Sequence, residues 1–449
     1  MIIRIIRGVP RLGVLLGSLM AAAGLLTATA VTPPGTGATA IASSEPGWPQ
    51  FRGPKRDGVS SEEGLLKTWE EAGPKLLWKA EGIGRGFSSP IITRNRIFIT
   101  GDIGEVLQVF ALDLEGKKRW TASNGNAWTG EFPGARASVT FFKGRIYHQN
   151  AHGRLACMEA ETGKTLWAVD LLQQFKGKNI TWALSEAVVV DERAVYATAG
   201  GSEALMVALH PENGNVVWKS ESLTDSEDGA VENASYVSPI LVSFAGRRLL
   251  IGASLRNLFC VAADSGKLQW TARMPTSYSV LAMMPVLVGD AVFMTAPHGR
   301  RGQLFRLVAP SAADGKVGVD EAWNTKLDTC QGGVVHAAGK LFGSFYGPRQ
   351  GWAAVDAKSG AMLYQAPELI KGAAIYGDER LYVLSENGWM HLLEPGESQF
   401  ETRGKFRLVE AKNDAWAHPV IYDGRLYLRY HETLYCYDIR ERAAETEGR

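Results

Sequence analysis

The 449-residue chain is poor in cysteine: it has four, no two adjacent and none spaced as CxxC. That argues against a disulfide framework and against a zinc ribbon. It also lacks an excess of either charge, with Lys+Arg at 48, Asp+Glu at 47 and a net charge of +1. A balance so even excludes the basic footprint of a nucleic-acid binder. Asp and Glu are missing from the first 44 residues. Helical periodicity is missing from the rest, where "VDLLQQFKG" is the one short helical candidate. There is no G-x-S-x-G elbow, no H-E-x-x-H and no P-loop, and "GIGRGF" (82–87) has no helix after it. No catalytic residue and no metal ligand is therefore assigned.

What the chain has is glycine (50), tryptophan (13) and a repeated sentence. Glycine supplies turns with positive φ, and tryptophan supplies broad packing faces. Eight hairpin-like runs, such as "ASVTFFKGRIYHQN" and "AHPVIYDGRLYLRY", pair two apolar stretches across a short turn. Between them recurs a small residue, an acidic residue, a turn glycine and a strand that closes on an aromatic. The closing aromatics are Trp120, Trp167, Trp218, Trp270, Trp323 and Tyr364, with a degenerate copy at Leu408. One closing strand, ending at Trp78, precedes the first hairpin, and the last hairpin has none after it. The orphan strand fits the gap. The prediction is an all-β, eight-bladed β-propeller closed by an N-terminal strand, with seven blades as the alternative count. Runs apolar on both faces, such as "AVVV", fit blades packed face to face around a ring.

Three arginines (Arg4, Arg7, Arg11) and an apolar stretch over 12–31 read as an export signal, or as an uncleaved membrane tether. The predicted organisation is leader and linker over 1–45, an N-terminal arm over 46–73, the propeller over 74–440 and a charged tail over 441–449. The arm's "WPQFRGP" is expected to be extended and to pack Trp48 and Phe51 onto the outside or base of the ring. Cys157, Cys260 and Cys436 fill the slot that Ala111, Ala208 and Ala354 hold in sister repeats, which is a buried small-residue slot. All four cysteines are expected to be free.

"ALDLEGKKRW", "ACMEAETGKTLW", "FCVAADSGKLQW" and "AVDAKSGAMLY" resemble the tryptophan-docking repeat of pyrroloquinoline-quinone-type (PQQ-like) propellers, in particular exported members common in planctomycete-type bacteria. The resemblance implies an exported protein, periplasmic or extracellular or tethered to the inner membrane. It brings three functional expectations. The first is a non-catalytic scaffold holding a protein or small polar ligand. The alternatives are a PQQ- and calcium-dependent dehydrogenase of alcohols or sugars, and an envelope protein assembly factor. The dehydrogenases' adjacent cysteine pair is absent, their calcium ligands find no match, and the assembly factor's lipidation cysteine is absent. No cofactor is therefore expected, and the chain is expected to be monomeric.

Long connectors over 121–136, 168–184 and 219–236 fall on one face of the predicted ring, where binding residues usually sit. Arg136, Trp182, Glu186, Tyr236, Gln331, Lys371, Trp416 and His418 are the candidate ligand residues there, as a funnel with aromatics for stacking and cations for an anion. Trp78, Trp120, Trp167, Trp218, Trp270, Trp323 and Tyr364 are the expected blade-docking residues. Arg136 and Glu186 paired with each other or with water, and a structural role for His418, are the plainer expectations.

Overall fold

The protein is described by a computed structural model covering residues 37–312 and 315–441. The leader, the 12–31 stretch and the tail beyond 441 lie outside the described residues. Among these, no helix is long and apolar enough to cross a membrane.

Eight antiparallel sheets form the ring. Blades 1 to 7 occupy 91–126, 140–170, 189–219, 240–273, 286–325, 334–366 and 372–407. Blade 8 combines 420–438 with Lys75–Ala80, which pairs antiparallel along Thr433–Asp438 and sets Trp78 opposite Cys436. The orphan strand thus completes the last sheet, and the ring has eight blades rather than seven. The expected short helix is present at Leu171–Phe175, capped by the Asp170 carboxylate.

The repeat's chemistry is visible at four seams through an indole hydrogen bond, whereas the buried indole N–H groups of Trp270 and Trp323 make none and these rings dock by packing alone, and Tyr364 uses its hydroxyl on the Gly396 carbonyl. The indole of Trp78 donates to the Leu114 carbonyl of blade 1 at 3.0 Å. Trp120, Trp167 and Trp218 reach Ala160, Pro211 and Ala263 of the next blade in the same way, at 3.1, 3.0 and 2.9 Å. Each ring lies on the next blade's turn glycine. At Gly116, whose φ is +80°, an added Cβ would stand 2.6 Å from the Trp78 ring, so that position excludes other residues twice over. Cys157 and Cys260 lie opposite Trp167 and Trp270, and with Cys436 they are buried and free; Cys330, half-buried, is free as well.

The arm goes elsewhere than expected. Residues 46–60 are compact, with positive φ at Arg52 and Arg56, and run inside the central channel, whereas 62–73 bond to Gly424, Ile439 and Arg403 of blades 7 and 8. The innermost strand of a propeller blade is a sheet edge, with backbone groups facing the channel. The arm satisfies many of them. Just before the arm, in the segment assigned to the linker, Thr39–Ala40 pairs with Ser243 and Val242 of blade 4 as a fifth strand. Trp48 and Ile92 of blade 1 exchange backbone bonds of 2.7 and 2.9 Å. Pro49 accepts from Phe141 of blade 2, and Ser60 donates to Tyr376 of blade 7. The Arg56 guanidinium donates to the Ala187 and Val188 carbonyls of blade 3, and Arg52 donates to the Val334 carbonyl of blade 6 at 2.6 Å. Burial of Trp48, Gln50, Arg52 and Arg56 to 4% exposure or less marks a stopper rather than an external strap.

Candidate functional site

Above the arm's tip lies a cavity of about 840 Å³, open at the connector face, with Phe51 and Arg52 among its lining residues. Its size is that of a ligand pocket. The connectors and the first residues of the innermost strands build its wall, and turns between the second and third strands of blades 5 to 7 complete it.

Seven candidates line it: Arg136, Trp182, Tyr236, Gln331, Lys371, Trp416 and His418. Glu186 does not. It is 2% exposed, its carboxylate accepts from the Thr198 backbone N–H at 3.2 Å, and burial raises its pKa to about 7 against the pull of Arg56. The predicted Arg136–Glu186 pair therefore does not form. Glu186 belongs to the layer of the arm, below the mouth.

Arg136 organises backbone. Its Nε donates to the Trp182 carbonyl at 2.7 Å, Nη1 to Phe132 and Gly134 at 2.9 Å each, and Nη2 to Glu131 at 3.0 Å. One guanidinium thus ties the first long connector to the second. Trp182 is fixed by its indole bond to Glu131 at 2.8 Å, and its backbone N–H donates to the Tyr236 hydroxyl at 3.4 Å. Across the cavity, Lys371 Nζ stands 4.2 Å from the Tyr346 ring centroid and 3.5 Å from the Glu386 carboxylate. Gln331 donates to the other Glu386 oxygen at 2.9 Å. Burial lifts the Glu386 pKa to about 7, with Lys371 opposing. Trp416 is sandwiched by Phe87 at 4.8 Å and Phe132 at 5.1 Å. His418 is held by the Gln331 carbonyl at 2.9 Å and lies 3.4 Å from Arg52; burial first, then Arg52, hold its pKa down to about 3. It is a neutral structural histidine in the floor.

Sequence reasoning missed Glu386 and Tyr346, which sit on turns between second and third strands, and missed Phe51 and Arg52, whose destination depends on the arm's path. The only available signal for the turns was their place on the same face as the connectors. Among the described residues, no group of three or more His, Cys, Asp or Glu is placed to hold a metal ion.

The family model described as outer membrane protein assembly factor BamB matches residues 108–363. BamB of Alkalilimnicola ehrlichii is 24% identical over 228 residues, 50% of this chain and 52% of that protein. The match thus spans about half the length of that curated relative. Among solved structures, a quinohemoprotein alcohol dehydrogenase from Comamonas testosteroni superposes with a TM-score of 0.60 at 13% identity, over 90% of this chain and 82% of that one. BamB from Moraxella catarrhalis superposes at 0.57 and 13% identity, over 83% of this chain and 100% of that one. Such identities speak for the fold. The family model covers more than half of the chain, and the protein belongs to the PQQ-like repeat family that carries the description outer membrane protein assembly factor BamB.

Proposed function

We propose that the protein is an exported, non-catalytic propeller that holds a protein partner at its connector face and serves the assembly of envelope proteins. The observation that carries this reading is the family match over 108–363, under a description that names assembly. The site supports it. The connector face combines a deep cavity with exposed Phe132, Tyr278 and Ile370 in the surrounding connectors. Exposed apolar groups around a concavity characterise interaction surfaces. Export to the periplasm or cell exterior, through the basic and apolar leader, belongs to the same proposal.

A quinone–calcium pair is not part of it. A polycarboxylate quinone needs free cations and a metal needs convergent carboxylates. Here Arg136 and Arg52 are committed to carbonyls, and Lys371 is committed to Glu386 and Tyr346. Deleting the gene in its host should lower the yield of folded outer-membrane β-barrel protein, read by heat-dependent gel mobility. Unchanged yields would refute the assembly role.

A further inference from the structure

Two small-x-small motifs precede the ring. Ala28-Thr29-Ala30 closes the apolar stretch, and Ala40-Ile41-Ala42 lies beyond Pro33-Pro34. Peptidases that remove export leaders cut after such a motif, close behind the apolar segment. Both motifs qualify by composition. The first lies outside the described residues, and the choice between them turns on what the fold does with the second.

Residues 38–43, assigned to the linker by sequence, are already part of the propeller. Ala38 is 8% exposed and belongs to the apolar core around blades 4 and 5. Thr39 and Ala40 pair with Ser243 and Val242 on the innermost strand of blade 4. The Ile41 N–H donates to the Leu241 carbonyl at 2.9 Å, and its side chain packs on the core shared by blades 3 and 4. The Ser43 N–H donates to the Pro54 carbonyl at 2.8 Å, tying the segment to the arm. A cut after Ala42 would remove this inner strand whole. It would leave the Leu241 carbonyl without its donor and strip the channel-facing edge of blade 4. It would also put a charged amino terminus on Ser43, beside the arm. A cut after Ala30 touches none of these contacts. The spacing agrees, since Ala30 adjoins the apolar stretch and Ala42 is separated from it by the proline pair.

Resting on the export reading above, we propose that the leader is removed by hydrolysis of the Ala30–Val31 peptide bond. The mature chain then begins at Val31 and keeps Thr39–Ala40 as the inner strand of blade 4. A leader peptidase of the host and one water molecule complete the reaction: the Ala30 carbonyl becomes a carboxylate, and Val31 carries the new amino terminus. The second motif is spared because it serves the fold.

The test uses the full chain with a C-terminal affinity tag, expressed in its host and fractionated. Intact mass and N-terminal sequencing identify the purified species. The expected species begins at Val31 and is found outside the cytoplasm. An exported species that keeps Met1, or begins anywhere else, Ser43 above all, would overturn the cleavage proposal and leave export standing. A full-length chain confined to the cytoplasm would overturn both. Ala30→Glu, which places a charge at the cut, is expected to abolish the Val31 species and leave precursor in the membrane fraction; an unchanged yield of that species would overturn the assignment. A chain lacking 31–42, with the leader joined directly to Ser43, tests the inner strand. It is expected to melt at least about 2 °C below wild type and to be cut faster by trypsin within the arm. Equal melting would remove the reason for sparing the second motif. The gene-deletion phenotype tests the assembly role alone, wherever the leader is cut.

Discussion

Trp78 of the last blade lies on Gly116 of the first, its indole donating to the neighbouring Leu114 carbonyl at 3.0 Å. Lys75–Ala80 pairs with Thr433–Asp438, far away in sequence, so that this contact docks the last blade onto the first and closes the ring. Trp78 is half-buried, so Trp78→Ala should destabilise the protein by less than the roughly 3–5 kcal/mol of a fully buried Trp truncation. Gly116→Ala should also destabilise it, through both its φ of +80° and the clash with the ring. The two losses should be less than additive, since they share one contact. Urea denaturation of the single and double variants checks this; full additivity would mean that the residues do not act together.

The arm should be integral to folding. Arg56→Ala leaves the Ala187 and Val188 carbonyls without their donor, and a buried charge partner of Glu186 is lost. Leaving a buried carbonyl without its donor typically costs about 1–3 kcal/mol. The expected result is a lower unfolding midpoint and faster tryptic cleavage within the arm. A variant as stable as wild type would mean that the arm only rests in the channel.

Glu186 gives stability a definite pH dependence. Its folded pKa, raised by burial to about 7, lies above the ordinary value of 4.5, so the folded protein keeps a proton that the unfolded chain releases in between. Its contribution is therefore complete below about pH 4.5 and is lost as pH rises through about 7. Glu186→Gln should flatten the decline between pH 5 and pH 8 relative to wild type. Buried His418, held down to about 3, acts in the opposite sense: its contribution is present above 6.5 and lost as pH falls. The difference between variant and wild type isolates the glutamate. Parallel stability–pH curves would contradict the assignment.

The cysteines make a simple prediction. Burial pushes the thiols of Cys157, Cys330 and Cys436 up to about 11, 12 and 12, and Cys260 is raised further by burial alone. Thiol reagents should modify the native protein slowly, beginning with half-buried Cys330, and all four sites in denaturant. Rapid native labelling of Cys157, Cys260 or Cys436 would show that the blade seams open.

The blades were legible because their constraint is local and repeated. A turn glycine four residues before an aromatic, as at Gly163 and Trp167, reports a docking geometry that each copy must satisfy. Trp78 was readable for the same reason, as a copy out of place. The arm was not legible. Arg52 and Arg56 look like surface residues in sequence, and only the three-dimensional ring creates the carbonyl edges that bury them. Glu186 was misplaced by one position: its neighbour Ser185 lines the cavity, whereas the Glu186 carboxylate is buried against the Thr198 N–H. Lys371, one residue before its strand, lines the cavity as read. Glu386 escaped because the rule followed connectors between blades, not the turns within them.

The most direct test of a partner held at the connector face is photo-crosslinking in the native host, with a benzophenone amino acid placed singly at Tyr278 in the connector before blade 5 or at Leu166 on the outer strand of blade 2, both exposed at 64 and 43%. The account predicts a discrete adduct with one envelope protein from position 278 and none from position 166. An adduct from position 166 with none from position 278 would contradict it.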